Sequence, residues 1–389
     1  MFRFDTHYPS PSRRMRRGRL TTPHGVIETP AFIFCATKAA IKGVPAHWLE
    51  ELNTQIILSN TYHLFIQPEA KTVKDLGGLH KFMGWNGPML TDSGGFQIFS
   101  LGHGSVGDEI KGKRLGGGER KQTLLKITEE GASFRSYRDG SRHLLTPEMS
   151  IQTQIDLGAD LIVVFDECTP FHVERSYTES SMERSHRWEL RSLQEFDRQK
   201  STQQALYGII QGGIYPDLRT RSVNFVNSHP FFGHAIGGSL GGTREQMNEI
   251  VKLTACQLDP ARPIHLLGIG GVRDIFTHLE WGIDTFDCVH PTRIARHGGA
   301  LQKRHPKEHI NLKNSQYRHD PSPIEADCAC PTCTRYSRGY LHHLIKADEL
   351  IAATLITLHN IYFMNQMMIE IRKGIEEDTF EAVRARWIL

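Results

Sequence analysis

The feature that most constrains this chain is a recurrence. Eight short apolar runs alternate with stretches of helical character, and almost every run ends in glycine or in a polar residue that a buried strand would not choose. Ala31 to Cys35 leads into Ala36, Thr37 and Lys38; Ile56 to Leu58 into Ser59 and Asn60; Met89 and Leu90 into Asp92. Leu161 to Phe165 ends at Asp166, Leu206 to Ile210 at Gln211, and Ala235 with Ile236 at Gly237 and Gly238. Ile264 to Leu267 ends at Gly268, and Ile283 to Phe286 at Asp287. Strand, loop and helix repeated eight times is what a (β/α)8 barrel requires, an α/β fold whose strand C-termini gather at one mouth. The polar run ends are expected at that mouth.

The segments between the runs are readable. Thr146, Pro147 and Glu148 supply an N-cap, a proline in the first turn and an acid near the helix start, opening a helix that stops near Gly158. A long charge-rich helix is expected from about Thr178 to Arg198, with Met182, Leu190, Leu193 and Phe196 on its apolar side. About seventy residues separate the third and fourth runs, too many for one helix. Within them, Ala132 to Tyr137, the Asp139-Gly140 turn and Arg142 to Leu145 predict an inserted β-hairpin. Gly102 to Arg120, with seven glycines, reads as a mobile loop. Pro291 stops the eighth strand and puts Arg293 and Arg296 on the loop beyond it.

After Pro291 the composition turns polar and basic, through Lys303, Arg304, His305, Lys307 and His309, and a helical region closes the chain from about Gly339 to Lys373. The expected division is a barrel with a basic N-terminal arm over 1–300, and a smaller subdomain, which holds the cluster of cysteines, with C-terminal helices packed on the barrel, over 301–389. The 389 residues suffice for a large core, and the net charge of +3 says little by itself. Six arginines crowd the first twenty residues, which lack the apolar centre of a signal peptide, and no run approaches the roughly 18 apolar residues of a membrane helix. A soluble, cytoplasmic protein with no membrane partner is expected.

Seven cysteines, three of them within six residues, argue for metal binding in a reducing compartment and against a disulfide framework. Cys328, Cys330 and Cys333 form C-x-C-x2-C, and His359 lies 26 positions further on within a helical pattern. Such a set suits one tetrahedral, structural Zn2+ with no open position, although His342 and His343 are also available.

Asp92 sits in Thr-Asp-Ser-Gly-Gly-Phe-Gln, where paired glycines let backbone approach a ligand and Phe96 offers an aromatic face. Asp166 sits in Phe-Asp-Glu-Cys-Thr-Pro, and Asp287 in Phe-Asp-Cys-Val-His-Pro-Thr-Arg. Taken singly, an aspartate between apolar residues is most simply held by a structural ion pair. Three at one mouth would resist joint ionisation, so at least one should carry a proton or meet a hydrogen-bond donor. A carboxylate pair of this kind suits cleavage at an anomeric carbon, one group as nucleophile and another as acid/base.

Taken together, the segments GVIETPAF from Gly25, SNTYHL from Ser59, TDSGGFQ, ITEEGASFRS and DGSRH, FDECTP, QGG, AIGG, FDCV with PTR, and the cysteine set resemble the bacterial tRNA-guanine transglycosylases (queuine tRNA-ribosyltransferases) nearly end to end. That resemblance implies an irregular (β/α)8 TIM barrel with a zinc subdomain, a homodimer, and exchange of the wobble guanine of a tRNA anticodon for a free 7-deazaguanine base. By it, Asp287 is the nucleophile at ribose C1′ and Asp92 the general acid/base. Asp92, Asp166, Gln211, Gly237 and Gly238 bind the base and Phe96 stacks on it. Arg293 and Arg296 hold the anticodon loop, and Cys328, Cys330, Cys333 and His359 bind zinc. The chain departs from the bacterial pattern at Ser239, where leucine is usual, at Gly241, usually β-branched, at His290, and in the length of the Gly102–Arg120 loop. Ser239 and Gly241 either enlarge the base pocket enough to admit queuine beside 7-aminomethyl-7-deazaguanine, or Gly241 merely serves a tight turn. Cys168 matches the bacterial branch. A sugar-hydrolysing barrel and an inactive RNA-binding subunit are the competing readings.

Overall fold

The eight runs form eight parallel strands, each hydrogen-bonded to the next in sequence order: Ala31–Cys35, Ile57–Ser59, Met89–Thr91, Leu161–Val163, Ala205–Ile210, Gly233–Ile236, Ile264–Leu266 and Thr285–Cys288. The eighth pairs with the first, Thr285 opposite Ala31 through Cys288 opposite Phe34, and the barrel closes. In this computed structural model residues 1–9, 13–102 and 123–389 are described. Nearly all of the Gly102–Arg120 segment lies outside them. Strands buried on both faces need continuous apolar runs rather than alternation, and all five residues of Ala31–Cys35 are buried accordingly.

Two expectations about the eighth strand need correction. Asp287 is the third residue of that strand instead of the residue beyond its tip, because its backbone still pairs with Ile33. Pro291 does not lead into a loop: it sits in the first turn of a helix, His290–Ala295, where its missing N–H costs nothing. Arg293 is therefore helical and Arg296 caps the helix C-terminus.

Helices return the chain between strands. Pro147–Leu157 is capped as its sequence predicts, with Thr146 accepting from the Met149 N–H and Gly158 in the left-handed region. The charge-rich helix runs from Arg175 to Gln199 and buries Met182 and Trp188. The insertion after the third strand is larger than a hairpin. Ala132–Arg135 and Arg142–Leu145 pair as expected, but Leu124–Ile127 adds a third antiparallel strand. Phe134 and Leu145 of this small sheet pack with Tyr62, Phe165 and Trp188 beside the barrel mouth.

Polar latches hold the opposite end of the barrel. Arg16, on an N-terminal three-stranded sheet, donates from Nε and Nη2 to Asp284 at 2.9 and 2.6 Å, just before the eighth strand. Asp284 also accepts the Ile264 N–H at 2.7 Å, so this buried pair ties the starts of the last two strands together. Asp160 does the same for the third and fourth strands. It accepts the Met89 N–H at 2.8 Å and faces His24 Nδ1 at 2.8 Å and His80 Nε2 at 3.3 Å. The two imidazoles stack with centroids 3.5 Å apart and planes 15° apart. Their lone pairs run side by side rather than converging, which suits a shared carboxylate and not a chelated ion.

After Gly299–Leu301 pairs with His309–Asn311, three helices complete the chain: Arg338–Lys346, Leu350–Glu376 and Phe380–Trp387. The 27-residue helix belongs to two apolar clusters at once. Ala352, Leu355 and Ile356 pack with Cys330, Cys333 and Leu341, whereas Leu358, Ile361, Phe363 and Met364 join the main core around the barrel.

Candidate active site and metal centre

Asp287 is 8% exposed at the mouth, and its two carboxylate oxygens are held unequally. Oδ1 accepts the Gly268 N–H at 2.8 Å and lies 3.2 Å from His265 Nε2. Among the described residues Oδ2 meets only a weak donor, the Cys35 thiol at 3.6 Å, which burial and the neighbouring Asp287 charge keep protonated. Oδ2 is the freer oxygen of the two.

Asp92 follows the third strand and is cradled by the segment after the second. Asn60 caps the short helix Thr61–Ile66 with its carbonyl oxygen, which leaves its amide N–H to donate to Asp92 Oδ2. The Thr61 N–H donates to Oδ1 at 2.8 Å. Burial pushes this carboxyl up to about 7; the Thr61 and Gln97 hydrogen bonds pull the other way and the Asp287 charge adds to the rise. A carboxyl poised near neutrality can give and take a proton.

Asp166 is buried beyond the fourth strand. Ser93 donates to its Oδ1 at 3.1 Å and the Gln211 amide to its Oδ2 at 2.6 Å, yet burial raises it to about 6. The Gly-Gly pair after Ser93 has a geometric cause: a Cβ on Gly95 would lie 2.5 Å from the Asp166 carbonyl oxygen. The three aspartates thus share one mouth with a hydrogen-bond donor on each; burial raises Asp92 and Asp166, and the Asp287 charge adds to the rise of Asp92. Phe96 stands next in line with its side chain 38% exposed, an aromatic face available for stacking.

Beside Gln211 runs the Gly237-Gly238 loop, and the residue that organises it went unnoticed in the sequence. Arg219 is fully buried and donates to four carbonyls: Gly213 at 2.8 Å, Ile210 at 3.0 Å, Gly237 at 2.9 Å and Ser239 at 3.1 Å. Burial lowers its pKa to about 9. Arginines on helices are ordinarily solvated, so nothing in Asp217-Leu218-Arg219 marks it. The same holds for Asn60, Thr61 and His265, whose importance lies in partners distant along the chain.

Of the two readings of Gly241, the backbone carries the tight turn. Its φ is +128°, and a Cβ there would lie 2.8 Å from Gln246 Cγ and Oε1. The missing side chain spares Gln246 and opens no room by itself. Ser239 is different: it is buried, and its Oγ has no hydrogen-bond partner.

Arg293 is exposed and Arg296 half-buried one turn on, with Arg296 Nη1 donating to the Thr292 carbonyl at 2.8 Å. Burial and the nearby Arg293 charge lower the pKa of Arg296.

Cys328, Cys330, Cys333 and His359 converge so that their four ligand atoms lie within 4.8 Å of one another. Metal–sulfur bonds of about 2.3 Å and metal–nitrogen bonds of about 2.1 Å at a tetrahedral angle give S···N separations of about 3.6 Å. The separations from His359 Nδ1 are 3.7, 3.5 and 3.3 Å. His359 Nε2 faces the Leu301 carbonyl at 2.9 Å, which puts the ring proton there and leaves Nδ1 free for a metal. His342 instead turns to the Leu312 carbonyl at 2.8 Å, and His343 is exposed. The cluster fits a tetrahedral metal ion.

Comparison with known proteins agrees with this geometry. Residues 12–389 match the family model described as queuine tRNA-ribosyltransferase. A queuine tRNA-ribosyltransferase of Roseiflexus is 46% identical, with 99% of this chain and 98% of that protein aligned. Those of Protochlamydia amoebophila and Chlamydia pneumoniae are each 46% identical over 97% of this chain and 96% and 99% of their own lengths. The family is one of pentosyltransferases, and the aligned stretch takes in the whole barrel, its three mouth aspartates and the metal cluster. This chain belongs to the queuine tRNA-ribosyltransferase family and is an enzyme of that class.

Proposed function

We propose that this enzyme exchanges the wobble guanine of a tRNA anticodon for a free 7-deazaguanine through a covalent aspartyl-ribose intermediate, as a step of queuosine formation. The supporting observation is the division of labour among the mouth carboxylates: Asp287 has one oxygen held and one freer, while Asp92 is poised near 7. Asp287 Oδ2 forms a bond to ribose C1′ as the C1′–N9 bond breaks, and the electron pair leaves with guanine. Asp92 supplies the proton that the departing base takes up. The incoming base then gives its N9 proton to Asp92 and attacks C1′, and the ester bond breaks with its electron pair returning to Asp287. Two inversions give retention, and no external energy source is consumed.

The base is read on its edge by Asp166, Gln211 and the Gly237-Gly238 backbone, with Asp92 beneath, and is stacked by Phe96. Arg293 and Arg296 hold the extruded anticodon loop through phosphate and base-edge contacts. Zinc held by Cys328, Cys330, Cys333 and His359 would be structural, since four protein ligands would leave a tetrahedral ion no open position. The working form is a cytoplasmic homodimer. A glycoside hydrolase would use the same carboxylates but has no use for the arginine pair beside the eighth strand. Queuine is among the substrates: its hydroxylated ring suits the unpaired Ser239 hydroxyl beside the base-reading loop.

Four outcomes are expected. Asp287→Asn binds tRNA but forms no denaturation-resistant adduct and loses exchange by roughly 10⁴-fold or more, because an amide cannot attack C1′; an adduct seen on a denaturing gel with this variant contradicts the assignment. Asp92 must be protonated to release guanine and ionised to accept the incoming base. Single-turnover guanine release therefore falls as pH rises through about 7, while base incorporation falls as pH drops through about 7. Asp92→Asn flattens both limbs, and guanine release that climbs through pH 7 in the wild type would refute the role. Chelation, or Cys330→Ser, lowers the melting temperature and weakens tRNA binding, since metal affinity is coupled to folding; metal-free protein with native melting and full activity would end the structural reading. For the base, wild type incorporates queuine, and Ser239→Leu cuts queuine kcat/KM roughly tenfold relative to 7-aminomethyl-7-deazaguanine. An unchanged ratio would show that Ser239 does not face the 7-substituent.

A further inference from the structure

Thr285 and Asp287 lie two residues apart on the eighth strand and so project to the same face of the barrel wall. His265 on the seventh strand is the lateral partner of Thr285 in the ladder. Its Nδ1 lies 2.9 Å from Thr285 Oγ1, and its Nε2 lies 3.2 Å from Asp287 Oδ1. The ring is 1% exposed, and Nε2 has no aligned hydrogen bond although it is buried. A buried ring nitrogen without a partner is costly, and catalytic contacts are often long or poorly aligned before substrate engages. A small rotation of the ring joins Nε2 to Oδ1. The carboxylate selects the tautomer with its proton on Nε2, and Nδ1 then accepts from the Thr285 hydroxyl.

We infer that His265 is a positioning residue for the nucleophile: its Nε2–H and the Gly268 N–H together hold Asp287 Oδ1, so that Oδ2 is the oxygen bonded to ribose. This rests on Asp287 being the nucleophile as proposed above. When Oδ2 bonds to C1′, Oδ1 becomes the ester carbonyl oxygen and charge leaves the carboxyl group with the departing base. When the incoming base displaces Asp287, the C1′–Oδ2 pair returns to the carboxylate and its charge spreads onto Oδ1, where two donors wait. A donor fixed at Oδ1 therefore assists breakdown of the ester more than its formation. Loss of the donor also leaves more of the negative charge on the attacking oxygen, which offsets part of its misplacement in the attacking step.

The test separates the two half-reactions. Full-length protein and guanine-containing tRNA are mixed, adduct formation is followed by guanine release, and adduct breakdown is then started with 7-aminomethyl-7-deazaguanine and followed by rapid quench. His265→Phe fills the same space without a donor. It is expected to slow breakdown roughly 10- to 100-fold while formation changes less, so adduct accumulates at steady state with tRNA affinity unchanged. His265→Gln, whose amide reaches Oδ1, restores breakdown. A purely structural role would lower both rates together and would not distinguish Gln from Phe. If His265→Phe does not fold, as judged by melting, His265→Asn takes its place, being too short to reach Oδ1. Wild-type breakdown in the donor-less variant, or parallel loss in both steps, overturns the inference while leaving Asp287 in place. An adduct formed by Asp287→Asn overturns both.

Discussion

Closure of the sheet between its eighth strand and its first is the constraint on which the site depends. Asp287 is carried in the backbone ladder opposite Ile33, and the strand that fixes it from one side also supplies Cys35 against its Oδ2. His265 of the seventh strand and Gly268 just beyond that strand hold it from the other side. As the proposed nucleophile, a carboxylate held within the ladder, instead of on a loop beyond it, has little freedom, and a reaction that needs in-line approach at one carbon would gain from that. Holding the strand starts is the task of Arg16 and Asp284 at the far end of the barrel. Rigidity at one end is thus matched by converging carboxylates at the other. Burial does the chemical tuning there, because it lifts Asp92 to about 7 without any exotic partner.

The metal cluster stands apart from this chemistry yet is mechanically tied to it. His359 and Asn360 are neighbours on the 27-residue helix. His359 faces the metal cluster and the Leu301 carbonyl, while the Asn360 side chain donates to the Pro291 carbonyl at 2.8 Å and the Gly299 carbonyl at 3.1 Å and accepts the Leu301 N–H at 2.8 Å. Pro291 sits in the first turn of the helix that carries Arg293 and is capped by Arg296. A metal bound at His359 would therefore also steady the segment that displays both arginines, which is the physical route by which the proposed structural ion would support the proposed anticodon contacts.

Much of this was legible in the sequence because the governing patterns are local. Apolar runs ending in polar residues gave the barrel and its mouth, and Thr146-Pro147 with Gly158 gave a helix with both ends. Three cysteines in six residues pointed to the metal. What was missed depends on contacts between distant segments. Asn60 and Thr61 act on a carboxylate 32 and 31 positions away, and His265 on one 22 positions later. Arg219 is an ordinary helical arginine until the fold turns four carbonyls toward it. One error came from reading proline too simply, since Pro291 stops a strand but also sits in the first turn of a helix; of the two readings left open for Gly241, its left-handed backbone favours the tight turn. The third strand of the insertion, Leu124–Ile127, carries two exposed residues among its four and so lacks a strong apolar run.

The central claim is that a particular carboxylate carries the ribose. Trypsin releases Asp274 to Arg293 as one peptide, which holds Asp287 together with Asp274, Glu280 and Asp284. The direct measurement is to quench wild-type enzyme with guanine-containing tRNA, digest protein and RNA, and locate the ribosyl mass within that peptide by fragmentation. The account predicts the added mass on Asp287; the same mass on Asp92, Asp166 or any other residue, or its absence from a quenched adduct, would contradict it.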